Sequence, residues 1–107
     1  TFSETVAVMG LGLIGLITSQ LLKANGCRVI GIDINSSKCD LAKEHGIDVI
    51  NSDLADPIKL TSELTKEIGC DGVIITASTK SSDPISKAAK MSRKKGSIIM
   101  INTLVIG

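Results

Sequence analysis

Three glycines, Gly10, Gly12 and Gly15, stand at G-x-G-x-x-G spacing directly after the apolar run Val6 to Met9, and an acid, Asp33, follows the next apolar run, Arg28 to Ile32. Residues of these types in this order can hold an anion and a pair of hydroxyls. Gly10 permits a tight turn, Gly12 lets a phosphate approach a backbone without a Cβ, and Gly15 lets the next helix pack closely on the strand. The free N–H groups and positive dipole end of that helix then face the phosphates. A carboxylate at the tip of the second strand accepts hydrogen bonds from ribose hydroxyls and repels a 2′-phosphate. The expected site is therefore Gly10, Gly12, Leu13, Ile14 and Gly15 around a pyrophosphate, with Asp33, Ile34 and Lys38 at the adenosine end. NAD is expected over NADP, because no arginine follows Asp33 and Lys38 is placed to reach a ribose hydroxyl or solvent. The same glycines also suit a bare strand-to-helix turn, but strand, helix and acid together favour dinucleotide binding.

The elements that must position these residues can be read along the chain. Ile14, Ile17, Leu21 and Ala24 recur at helical spacing and Gly26 stops them. Asn35-Ser36-Ser37 can cap a helix from about Lys38 to His45, ended by Gly46, with Ile47 to Ile50 as a third strand. Asp56-Pro57 starts a helix carrying Leu60, Leu64 and Ile68, closed by Gly69. Gly72 to Ala77 is a fourth strand running into the polar loop Ser78 to Ser82. Asp83-Pro84 starts a helix with Ile85, Ala88, Ala89 and Met91 that ends near Lys95, and Ser97 to Ile101 is a fifth strand. With right-handed crossovers this alternation predicts a doubly wound parallel α/β sheet of Rossmann type, of five or six strands in the order 3-2-1-4-5.

Composition narrows the class. At 107 residues the chain has room for one domain, which buries roughly 65% of its unfolded surface. Phe2 is the only aromatic residue, so the core is aliphatic, as suits a parallel sheet covered on both faces. A net charge of +1 offers no field for nucleic acid or an acidic membrane. The cluster Arg93-Lys94-Lys95 reads as cations at a helix C-terminus, and His45 as a helix-end residue rather than a catalyst. Cys27, Cys39 and Cys70 lack metal-ligand spacing and are expected to be reduced and partly buried. Without a signal peptide or an apolar span, a cytoplasmic protein is expected. The absence of an initiating Met and the stop just after a strand pattern lead us to expect residues 1–107 to be one domain excised from a longer chain.

Nearly the whole chain resembles the cofactor domain of the medium-chain dehydrogenase/reductase family, the zinc-type alcohol dehydrogenase relatives. The resemblance lies in Gly10 to Gly15, Gly31-Ile-Asp-Ile-Asn-Ser-Ser-Lys38 leading to Ala42-Lys-Glu-His-Gly46, Gly69-Cys-Asp-Gly-Val-Ile-Ile-Thr76 and Arg93 to Met100. Thr76 to Ile85 is similar to two-part oxidoreductases found with surface-polysaccharide genes. The resemblance implies an NAD-dependent dehydrogenase whose catalytic residues, and any zinc, belong to a catalytic domain outside this chain. It adds Ala77 and Ser78 as the loop that passes the cofactor, and implies a homodimer as a further partner. The family's sixth strand would begin at or beyond Gly107. Two other readings are a nucleotide-sensing regulatory domain of potassium-transport type and a nonbinding structural domain. The former usually carries a Gly-Asp-Ala turn where this chain has Asn51-Ser52-Asp53-Leu54.

Overall fold

A computed structural model of the chain describes residues 4–76 and 89–100. Five parallel strands, β1 (Thr5–Met9), β2 (Arg28–Asp33), β3 (Asp48–Asn51), β4 (Cys70–Ile75) and β5 (Ser92–Met100), form one sheet in the order β3-β2-β1-β4-β5. This is the expected order. The crossover helices described are α1 (Leu13–Ala24), α2 (Ser36–Glu44) and α3 (Pro57–Leu64). A sixth strand, and most of the expected helix after Pro84, lie outside the described residues.

The two-residue period of the strands divides the aliphatic side chains between two cores. On one face Ala7, Met9, Ile30, Ile32, Ile50, Val73 and Ile75 pack against Ile58, Leu60 and Leu64 of α3. On the other, Val6, Val8 and Val29 pack with Leu16 and Leu22 of α1 and with Cys39 and Ala42 of α2. Helices thus cover both faces, the doubly wound arrangement. The outward face of α1 keeps Leu13, Ile17 and Leu21 exposed.

Helix starts follow local chemistry closely. The Asn35 side chain accepts from the Lys38 N–H at 3.0 Å, so α2 begins at Ser36, two residues before the expected start. Asp56 accepts from the Ile58 and Lys59 N–H groups, with Pro57 in the first turn of α3.

Three expectations need correction. Helix α3 does not run on to Ile68. The Thr65 hydroxyl donates to the Thr61 carbonyl at 2.8 Å and accepts from the Gly69 N–H at 3.0 Å, while Lys66 and Glu67 take φ of 53° and 66°. The Glu67 N–H meets the Ser62 carbonyl at 2.7 Å. The chain thus leaves the helix in a left-handed turn and Ile68 is exposed. The fifth strand begins at Ser92, not Ser97, so Arg93-Lys94-Lys95 lies in β5 and does not cap a helix. A register shift sets Cys70 opposite Ser92 but Gly72 opposite Ser97, and Arg93 Nε pairs with Asp71 Oδ1 at 2.8 Å across it. Finally, β4 spans Cys70–Ile75 and not Gly72 to Ala77, Ala77 being outside the described residues.

Candidate dinucleotide-binding site

The G-x-G-x-x-G segment joins β1 to α1 at the carboxyl edge of the sheet. There the order reverses between β2 and β4, the place where doubly wound sheets bind ligands. Gly10 has φ of 96°, a conformation that side chains rarely adopt, and turns the chain off the strand. Its N–H donates to the Ile32 carbonyl at 2.8 Å. Leu11 then drops into the second core, only 1% exposed, and it fits because β2 carries Gly31, where a Cβ would come within 2.8 Å of Leu11 Cδ2. Gly15 is buried in the first turn of α1, and a Cβ there would land on the Gly10 carbonyl oxygen.

Gly12 differs from its two neighbours. It is the N-cap of α1, with φ of −69°, which any residue can take. Among the described residues the only atom within 4 Å of a Cβ built there, its chain neighbours aside, is Lys38 Nζ, at 4.0 Å. Neither backbone strain nor packing within the described residues asks for a glycine. Helix α1 also starts with no side-chain cap and no acidic residue in its first turn. Its first helical bond runs from the Leu16 N–H to the Gly12 carbonyl at 2.8 Å, which leaves the N–H groups of Leu13, Ile14 and Gly15 ahead of it. The opening above Gly12 and this uncapped amide cluster together make a socket for an anion, and fit a pyrophosphate.

Asp33 stands at the tip of β2, its carboxylate held by two amides. Oδ2 accepts from the Leu11 N–H at 2.7 Å and Oδ1 from the Asn35 N–H at 2.9 Å. Each oxygen keeps a further lone pair for a hydroxyl. Beside it Ile34 is 69% exposed, and Lys38, one turn into α2, brings its ammonium across to Gly12. Cys39 lies beneath, its thiol donating to the Asp33 carbonyl at 3.6 Å, and burial and the Asp33 charge push its pKa up. The structure thus gathers Gly10, Gly12, Leu13, Ile14, Gly15, Asp33, Ile34 and Lys38 at one edge. Ala77 and Ser78 lie outside the described residues.

Sequence reasoning gave no role to Leu11, named Thr76 only within the family resemblance, and gave Asn35 only a helix-capping role. The Thr76 hydroxyl lies 2.8 Å from the Gly10 carbonyl and 3.1 Å from that of Met9. Its signal in the sequence was a hydroxyl ending an apolar strand. An open recess of about 390 Å³, lined by Lys43, Gly46, Asp48 and Leu64 among others, lies at the opposite, amino edge of the sheet and takes no part in this arrangement. Cys27, Cys39 and Cys70 are free thiols. Among the described residues no group of three His, Cys, Asp or Glu could hold a metal ion, so they do not fit a zinc site. No helix among them is long and apolar enough to cross a membrane.

With this geometry established, comparison with known proteins gives a consistent result. A family model described as zinc-binding dehydrogenase matches residues 14–104. The chain is 42% identical over 79 residues to the D-guloside 3-dehydrogenase of Escherichia coli (strain K12), covering 69% of this chain and 22% of that protein. It is 42% identical over 72 residues to Alcohol dehydrogenase-like 5 of Arabidopsis thaliana, covering 65% of this chain and 18% of that one. The chain spans about a fifth of the length of these relatives. Among solved structures, benzyl alcohol dehydrogenase from Acinetobacter calcoaceticus superposes with a TM-score of 0.86 at 27% identity, over 100% of this chain and 29% of the other. Alcohol dehydrogenase TADH from Thermus sp. ATN1 gives 0.89 at 23% identity, over 96% and 30%, a likeness of fold. These findings lend no support to the potassium-transport alternative. The chain belongs to the zinc-binding dehydrogenase family, as its Rossmann-type domain.

Proposed function

We propose that the chain binds a dinucleotide, NAD in preference to NADP, at the carboxyl edge of β1 and β2, and acts as the cofactor domain of an alcohol or sugar dehydrogenase whose catalytic domain lies elsewhere in a longer polypeptide. The observation that carries this reading is Gly12. Gly10 and Gly15 are explained by the fold itself, whereas Gly12 has an ordinary φ and, among the described residues, only Lys38 Nζ comes within 4.0 Å of a Cβ built there. A missing side chain there serves something that comes from outside.

In this reading the amides at the start of α1, from Leu13 and Ile14, donate to the pyrophosphate and Gly10 and Gly15 set their direction. Asp33 accepts from the adenosine ribose hydroxyls, Lys38 reaches the ribose or the nearest phosphate, and Ile34 offers an apolar surface beside them. Ala77 and Ser78, outside the described residues, are assigned to the cofactor on family resemblance alone. The negative charge at Asp33 favours NAD, since a 2′-phosphate would have to sit against it. When bound, the nicotinamide would supply the hydride acceptor, while the α1 amides, Asp33 and Lys38 hold the pyrophosphate and the adenosine ribose. Zinc, where the parent enzyme uses it, belongs to the catalytic domain. We place the protein in the cytoplasm, and assign a homodimer as its further partner on family resemblance.

Calorimetric titration of the 107-residue chain with NAD and NADP tests the proposal. The wild type is expected to prefer NAD. Gly12→Val, which places a branched side chain in the socket, is expected to keep its circular dichroism and to lose about tenfold or more in NAD affinity, on the order of one lost hydrogen bond. A wild type that binds neither dinucleotide, or a folded Gly12→Val with unchanged NAD affinity, removes the proposed site.

A further inference from the structure

The Gly10 carbonyl and the Leu11 N–H belong to one peptide unit, and that unit is held from both sides. On the β2 side its N–H donates to Asp33 Oδ2 at 2.7 Å. On the β4 side its carbonyl lies 2.8 Å from the Thr76 hydroxyl. That hydroxyl has one proton and two carbonyls within reach, the second being Met9 at 3.1 Å. Met9 already receives the Thr76 N–H at 2.8 Å. Among the described residues Gly10 has no donor other than Thr76, so the unmet acceptor and the shorter distance both direct the proton to Gly10. Thr76 is 8% exposed, and the Gly10 oxygen lies where a Gly15 Cβ would fall, under the first turn of α1. A carbonyl in such a place needs a partner.

We infer that Thr76 is a positioning residue for anion binding: with Asp33 it clamps the Gly10–Leu11 peptide so that the carbonyl points away from the socket and the amides at the start of α1 point into it. The inference rests on the dinucleotide reading and extends it to a residue on another strand. The clamp is needed because of the glycine that precedes it. Gly10 lacks a Cβ and already sits at φ of 96°, so the peptide after it can rotate at little steric cost. Rotation would present a carbonyl dipole, negative end first, to the phosphates and tilt the following amides away. Thr76 reaches no part of the ligand in this scheme and acts through the turn alone. The adenosine end, built by Asp33 and α2, does not depend on it.

The test compares ADP, which needs the phosphate socket, with adenosine, which does not. The 107-residue chain and its variants are titrated with each, below the melting point of every variant, following backbone amide shifts by NMR. Thr76→Val, of similar shape but without the donor, is expected to weaken ADP about tenfold, the value of one ordinary hydrogen bond, with adenosine affinity unchanged. Thr76→Ser keeps the hydroxyl and is expected to bind both as wild type does. Thr61→Val removes another buried hydroxyl, bonded to Met91 Sδ in the region of α3, and is expected to lower stability while leaving ADP affinity intact. Should Thr76→Val fail to fold, Thr76→Cys, with its weak S–H donor, is expected to show a smaller ADP-specific loss. Wild-type ADP affinity in whichever of these two variants folds, an equal loss for ADP and adenosine, or a Thr76→Ser as impaired as Thr76→Val overturns the clamp. A wild type that takes up neither ADP nor NAD overturns the dinucleotide reading, and the clamp with it.

Discussion

Asp33 has a structural task and a proposed ligand-binding one, which a sequence cannot separate. Its position after an apolar run marks it as a ribose ligand, but the structure also makes it the acceptor for the Leu11 and Asn35 amides, so its removal loosens the turn as well as the pocket. Asp33→Asn is the useful variant, because it keeps the size and one acceptor oxygen while discarding the charge. Losing a charge-assisted hydrogen bond costs about 1.5 to 3 kcal/mol, roughly ten- to a hundredfold in NAD affinity, and NADP should lose less because a repulsion is lifted. The ratio of NAD to NADP affinity, which cancels any general loosening, is therefore expected to fall. An unchanged ratio in a folded variant takes Asp33 out of the site. A second residue, Cys70, is fully buried, and burial together with the Asp71 charge pushes its thiol up to about 11. The folded chain then holds a proton that the unfolded chain releases nearer 9, so this contribution to stability is complete below 9 and is lost as pH rises towards 11. At pH 8 burial keeps the thiol protonated and covered, so Cys70 is expected to resist iodoacetamide in the native chain and to react after denaturation. Mass spectrometry after alkylation distinguishes the two, and rapid native labelling of Cys70 would contradict its burial.

At the scale of elements, the sequence was most legible where a local device dictates the structure. Gly10, Asn35, Asp56-Pro57 and the apolar run of β1 each act within a few residues, and the order of strands and helices that predicts the sheet was read from such signals. Elements set by distant partners were misread. Arg93 resembles a helix-end cation until Asp71, on the neighbouring strand, is seen to hold it in β5. Ile68 continues the helical period of Leu60 and Leu64, but the Thr65 hydroxyl bonds ended α3 first. The local pattern at Thr76, a hydroxyl ending an apolar strand, does not name its partner, a carbonyl far along the chain. The tightest joint between elements is that of α1 with the turn at Gly15. Alanine is favoured over glycine in a helix by about 1 kcal/mol, which taken alone would make Gly15→Ala stabilising. Here the new methyl falls on the Gly10 carbonyl and within 2.8 Å of Thr76 Oγ1, so overlap is expected to win. The variant should lose about 1 to 3 kcal/mol, and each kcal/mol lowers the melting temperature by roughly 4 to 8 °C in a domain of this size. A thermal melt at or above that of the wild type would show that α1 is free to lift away.

Taken whole, the molecule is a sheet covered on both faces with a proposed anion socket at its carboxyl edge and, among the described residues, no group of side chains that could hold a metal ion. The purified chain is accordingly expected to bind NAD while giving no turnover with alcohols, aldehydes or sugars. Steady NADH formation above that of a mock preparation would place a catalytic group in this chain. The position of the turn in the sheet has a further result, which concerns time rather than affinity. Leu11 is tied by its amide to β2 and by its side chain to the core, at the centre of the order β3-β2-β1-β4-β5, the part of such a sheet that opens last. Its N–H is expected to exchange with deuterium only on global unfolding. Two and three residues on, the uncapped amides of Leu13 and Ile14 have no such lock and should exchange within the dead time until a ligand covers them. The slowest and fastest protons of the molecule would then be near neighbours in one short loop, and added NAD would slow only the fast ones.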